Sequence, residues 1–258
     1  MIGQNKIIKQ INDSSLDTFP RSLILLGEKG SGRHSLCDII STHLNIAISD
    51  ISDSISFEYL MELTLRPNPS IYTIEASKIS VKKQNAILKL LEEPLKNTYI
   101  IIICETSSQL LDTIINRCQT WVMQKYSKDE LKLFTNNEYI LDIAHTPGQI
   151  QELEIQDIDS INKLCDTIID RLSGANYANI LTIADKIDFD NEDKSKFSLS
   201  CFISILNNKL LQKVINDGDI KYTKAFMLTN QLENECNIPK INKRYLFDSY
   251  LTNLKFVL

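Results

Sequence analysis

Three short, uninterrupted apolar runs punctuate the first part of the chain: residues 23–27 (LILLG), 71–76 (IYTIEA) and 99–104 (YIIIIC). Apolar residues at consecutive rather than alternate positions suit strands of a parallel sheet covered on both faces. The segments between them carry the longer helical period. Ser35 to Asn45 reads as one helix. Val81 to Glu93 reads as another, with Gln84, Ile87, Leu88 and Leu91 on one face and a stop at Pro94. Alternating strands and helices predict an α/β layer structure. Thr120 to Gln124 supplies a further strand, which closes this part near residue 122.

After Ser127 the pattern becomes helical. Ser127-Lys-Asp-Glu130 has the spacing of a capping box, in which serine caps the helix start and glutamate reaches back. A short helix near Tyr139 to Ala144, the turn His145-Thr-Pro-Gly148 and another helical segment follow. From residue 157 onward apolar residues recur at three- and four-residue spacing, as at Ile161, Leu164, Cys165, Ile168, Ile169 and Leu172. Breaks fall at Ser173-Gly174, Asp188 to Lys194, Asp217-Gly218 and Pro239. A bundle of about four to five helices is expected. The predicted organisation is an α/β domain over 1–122, a small helical domain over 123–156 and a helical domain over 157–258. The apolar stripes of the last domain suit a pure core or a core plus a subunit interface.

Composition narrows the function classes. At 258 residues the chain exceeds one compact core, and 43% hydrophobic with 24% charged residues is the balance of a soluble globular protein. Its longest strongly apolar run, Ile100 to Cys104, is far too short to span a bilayer. The N-terminus lacks the apolar core of a secretory signal, so a cytoplasmic location without membrane attachment is expected. Net charge is −5 with no evident basic stripe, which argues against a dedicated nucleic-acid binder. The six cysteines show no C-x2-C or C-x4-C pair, so reduced, mostly buried thiols are expected and no metal site is predicted.

The candidate chemistry starts at Gly27-Glu28-Lys29-Gly30-Ser31-Gly32, between a strand and a helix. In that context backbone N–H groups and a helix N-terminus can cradle phosphate. Gly27, Gly30, Gly32 and Arg33 are the candidate nucleotide contacts. The motif should continue with Lys and Ser or Thr, but the chain has Arg33 and His34. Arginine is a planar fork where lysine is a point charge. Imidazole is a poor substitute for the hydroxyl that ligates Mg²⁺, and Ser35 falls one position late. The strand IYTIEAS offers Glu75, yet Ile74 stands where the other acidic residue of a Mg²⁺ site belongs. Residual nucleotide binding and a purely structural loop are both open at this point.

A second group of motifs resembles the AAA+ clamp-loader family of bacterial DNA polymerase III. The resemblance rests on Ile2-Gly3-Gln4, the G-x2-G-x-G loop, the run Lys83 to Pro94 (KQNAILKLLEEP), Leu110-Leu111, Thr113-Ile114, Asn116-Arg117-Cys118 and Thr146-Pro147-Gly148. It covers residues 1–150 by motif and the remainder by pattern alone. It implies an AAA+ α/β domain of P-loop type, a small helical lid and a C-terminal all-α collar bundle. The family's triplet is usually Ser-Arg-Cys, and its arginine enters the neighbouring subunit's ATP site. That role falls on Arg117, with Asn116 in place of the serine; a solvated surface arginine is the plain alternative. Gly148 stands where related ATPases carry an arginine that senses the γ-phosphate. Most bacterial relatives insert a four-cysteine zinc module between the loop and the acidic strand. Residues 45–70 hold no cysteine, so no zinc is expected.

The resemblance implies a non-catalytic subunit that needs no cofactor and supports ATP-dependent loading of the sliding clamp onto primed DNA. Its implied partners are gamma/tau-type motor subunits and a delta-type subunit, with clamp and DNA met through the assembled complex. A motor subunit using Arg33 and Glu75, and an AAA+ scaffold in recombination or repair, are the alternatives. Lys82 and Lys83 could touch DNA phosphates or form a solvated helix face. Trp121 suits a core or domain-edge anchor, and His43 and His145 have no partner motif.

Overall fold

The computed structural model describes residues 2–63, 67–92, 97–171, 177–189, 196–236 and 241–258. These fall into two compact units, Met1–Phe134 with Thr146–Gly148, and Thr135–His145 with Gln149–Leu258. In the first unit the order is α1 (Asn5–Asn12), β1 (Ser22–Leu26), α2 (Arg33–Leu44), β2 (Ala47–Asp50), α3 (Phe57–Leu63), β3 (Ser70–Glu75), α4 (Val81–Glu92), β4 (Thr98–Cys104), α5 (Asp112–Ile115), β5 (Gln119–Val122) and α6 (Lys128–Leu131). The strands form one parallel sheet in the order β2-β3-β4-β1-β5. This is the α/β AAA+ architecture expected from the sequence.

Its central strands are apolar at consecutive positions because both faces are covered. Leu23, Leu25, Tyr99, Ile101 and Ile103 face one layer with Ile7 and Ile11 of α1 and Leu36, Cys37 and Ile40 of α2. Ile24, Tyr72, Ile74, Ile100 and Ile102 face the other, with Ile87, Leu90 and Leu91 of α4 and Ile114 of α5. Trp121 is a core residue, packed edge-on against Phe19 at 5.6 Å.

Two elements carry no strong sequence signal. Strand β2 lies at a sheet edge, where Ala47, Ser49 and Asp50 are exposed and Ile48 is half-buried, so it has no apolar run to announce it. Helix α1 anchors with only two buried side chains, Ile7 and Ile11. Gln4, just before it, is fully buried; its amide donates to the Gln124 carbonyl at 2.8 Å and accepts from the Gln124 amide at 2.7 Å. The capping box forms as expected, with the Glu130 amide donating to Ser127 Oγ at 3.3 Å and the Ser127 amide to Glu130 Oε2 at 2.8 Å.

The second unit is mainly helical: α7 (Glu138–Ile143), α8 (Pro147–Glu154, entering from the first unit), α9 (Ile158–Arg171), α10 (Tyr177–Ala184), α11 (Leu199–Asp217), α12 (Ile220–Cys236) and α13 (Lys243–Val257). Two-residue strands β6 (Ile187–Asp188) and β7 (Phe197–Ser198) pair in parallel. Phe202 of α11 and Phe247 of α13 meet edge to face at 5.5 Å, and Tyr250 shares a buried 2.8 Å hydrogen bond with Thr229 of α12. Gly218 ends α11 at φ +63°, a conformation open to glycine at no steric cost. The expected breaks at Ser173-Gly174 and Pro239, and most of that at Asp188 to Lys194, lie outside the described residues. Among the described residues no helix is long and apolar enough to cross a membrane.

Candidate functional site

The candidate site lies at the carboxyl ends of the central strands, where open parallel sheets place their ligands. Gly27 leaves β1 and donates its amide to the Cys104 carbonyl at 3.1 Å. Gly32, at φ +92°, stands at the N-cap of α2. The carbonyls between them are engaged from outside the loop. Thr146 Oγ1 donates to Lys29 O at 2.9 Å, the Gly148 amide to Gly30 O at 3.0 Å, and the Tyr126 hydroxyl to Ser31 O at 2.9 Å.

Gly30 and Gly148 meet backbone to backbone. Gly30 has φ +79°, and a Cβ there would stand 2.7 Å from Thr146 Oγ1 and 2.8 Å from Gly148 Cα. A Cβ on Gly148 would stand 2.4 Å from Gly30 Cα. Position 148 therefore has no room for any side chain in this arrangement. Gly148→Ala is expected to force the two segments apart and to cost about 1–3 kcal/mol, the usual range for overpacking. A denaturant melt of the variant checks this; an unchanged midpoint would show that the contact yields freely.

The first turn of α2 holds the two residues that replace the motif's Lys and Ser/Thr. Arg33 is buried, and its Nη2 donates to Glu105 Oε1 at 3.3 Å, just beyond β4. His34 is largely exposed and sets Nε2 against Glu75 Oε1 at the end of β3. Ile74 has no exposed surface and belongs to the core, where an apolar side chain holds no metal ion. The loop's cation and the strand's carboxylate are thus each matched with a residue of this same unit. Burial pushes the nearby Cys37 thiol up to about 12 and Cys104 up to about 11, so both are neutral packing groups.

Arg117 is placed by α4 and α5 together. Gln84 of α4 is buried; its amide donates to the Gln109 carbonyl at 2.9 Å and accepts from the Leu111 amide at 2.9 Å. Leu110 and Ile114 then pack in the same core as Ile87 and Leu91, with Cys118 against it. The short helix this fixes leads into Asn116 and Arg117, which stands about one-third exposed. Its Nε and Nη2 donate to Glu92 Oε1 at 2.9 and 2.5 Å, and its Nη1 donates to the Thr113 carbonyl at 2.7 Å. Burial pushes the Cys118 thiol up to about 12, consistent with a packing role. Glu93 and Pro94 lie outside the described residues. Lys83 donates to the carbonyls of Ser52 at 2.9 Å and Asp53 at 3.1 Å, an internal cap on that loop.

The sequence motifs include Arg117, the loop, Glu75 and Glu92, but not Glu105, and they do not pair Arg117 with Glu92, Arg33 with Glu105 or His34 with Glu75, which lie 25, 72 and 41 positions apart. Acidic residues at strand and helix ends are common. Only the fold selects these pairings.

The fold is of the AAA+ α/β type, with a glycine-rich loop between β1 and α2. Residues 45–127 match the sequence model of a family described as DNA polymerase III, delta subunit. Subunit delta' of DNA polymerase III from Haemophilus influenzae is 43% identical over 54 residues, covering 21% of this chain and 16% of that protein. Its Bacillus subtilis counterpart is 43% identical over 61 residues, covering 23% of this chain and 18% of that protein. The chain thus spans under a fifth of the length of these relatives. A DNA polymerase III gamma subunit-related protein from Thermotoga maritima shares the fold at 14% identity and TM-score 0.51, with 98% of this chain and 99% of that one covered. These matches make the chain similar to clamp-loader proteins of DNA polymerase III, with the sequence likeness confined to residues 45–127 and the fold shared more widely.

Proposed function

We propose that the chain is a delta prime-type subunit of a bacterial clamp loader. It turns over no ATP of its own and gives Arg117 to the ATP site of an adjacent gamma/tau-type motor subunit. The observation that carries this reading is the contrast between its two arginines. Arg33, in the chain's own loop, is buried against Glu105, while Arg117 reaches the surface with N–H groups to spare. A guanidinium brought in from a neighbour stabilises the charge that develops on a transferred phosphoryl group. Exposed apolar side chains in the helical unit, among them Ile215, Met227 and Phe256, support its use in assembly.

Reconstitution with gamma/tau-type and delta-type subunits tests the proposal. Loading of the sliding clamp onto primed DNA is expected to require this chain, and full loading in its absence would reject the assignment. Titrated alone with MgATP, the chain is expected to show no saturable binding up to about 1 mM, the upper end of the usual substrate range. Tight, Mg²⁺-dependent binding would favour the motor reading with Arg33 and Glu75. Stable assembly with recombination proteins instead would favour the scaffold.

A further inference from the structure

We propose that Glu92, the last described residue of α4, is a positioning residue that holds Arg117 by one edge and presents its other edge to a neighbour's phosphate. The inference rests on the reading of Arg117 as a residue that acts in trans.

The geometry is particular. Guanidinium has five N–H donors in a rigid plane. The side edge, Nε with Nη2, is taken by a single Glu92 oxygen, and the Thr113 carbonyl takes one hydrogen of Nη1. One hydrogen on each terminal nitrogen is outside these bonds, which leaves two donors for phosphate oxygens. Glu92 therefore does not occupy the whole fork; it fixes the plane of the guanidinium and leaves two donors. The helices that carry the pair are fixed against each other, since α4 and α5 share the buried Gln84 bridge and one core cluster. A half-exposed ion pair contributes little to folding. The worth of this one lies in orientation, because a misplacement of about 1 Å in a positioned group can lower a rate by about 10²-fold.

The test uses the reconstituted loader and follows ATP cleavage at the site next to this chain, with four forms: native, Glu92→Ala, Arg117→Ala and the double variant. Glu92→Ala is expected to lower kcat about tenfold with KM for ATP unchanged, since misorientation weakens the transition-state contact only. Glu92→Gln keeps an acceptor oxygen and is expected to stay within about threefold of native. In the Arg117→Ala background Glu92→Ala is expected to add nothing, and the thermal midpoint of each form is expected to match the native chain. Native turnover in Glu92→Ala, faster turnover, or the same loss with and without Arg117 would overturn the positioning role while leaving the trans role standing. An Arg117→Ala complex as fast as native would overturn both.

Discussion

Arg117→Ala is expected to slow ATP cleavage at the neighbouring subunit's site by about 10³-fold, the lower end of the range for an arginine supplied to a phosphoryl-transfer site. In water such a charge contributes little; the expected size presumes a site between subunits that excludes solvent, and Glu92 and Thr113 already hold the guanidinium. Arg117→Lys is expected to recover little, because an ammonium presents a point charge and cannot be held by one edge while offering another. The loss should fall on turnover rather than on folding. The pair with Glu92 is well exposed on both sides, and such pairs contribute about 0–1 kcal/mol. Equal melting curves for the native and variant chains, with equal elution of the assembled complex, would separate the two effects. A variant that no longer assembles would assign Arg117 to the interface instead.

Glu105→Ala is expected to have the largest effect on stability. It leaves the Arg33 guanidinium, only 7% exposed at its side chain, without its carboxylate. Removing one partner of a buried pair typically costs about 3–5 kcal/mol. Glu105 is partly open to solvent, so about 2–3 kcal/mol is expected after screening. For a chain of this size that lowers the melting midpoint by about 5–10 °C. Arg33 Nη1 is already buried without a protein acceptor, so the site has little left to compensate with. Coupling Glu105→Ala to Arg33→Met, which removes the stranded charge and keeps an unbranched side chain, is expected to recover most of the loss. If the double variant melts no higher than the single one, the pair does not hold this corner together.

How much of this is legible beforehand follows from how local each signal is. The strands 22–26, 70–75 and 98–104 announce themselves because the sheet buries both of their faces. Strand β2 is silent because an edge strand with one half-buried side chain has no pattern. Helix Val81–Glu92 shows its inward face plainly, yet Gln84 on that face is buried by its hydrogen bonds to Gln109 and Leu111 rather than by apolar character. The departures at Arg33, His34 and Ile74 can be read one residue at a time. What faces each of them cannot, since Glu105 and Glu75 arrive from other strands. The turn at Thr146 to Gly148 is visible as a turn, but its role against the loop depends on a contact across 118 positions, from Gly30 to Gly148.

The central claim is that Arg117 serves a neighbour's ATP while the chain's own loop turns over none. The most direct measurement is rapid-mixing phosphate release from the reconstituted loader on primed DNA, with the native chain, with Arg117→Ala, and with the isolated chain as control. The account predicts a loss of fast-phase amplitude in the variant complex equal to one active site, and no release from the isolated chain. Release from the isolated chain, together with an undiminished fast phase in the Arg117→Ala complex, would contradict it and make this subunit a motor.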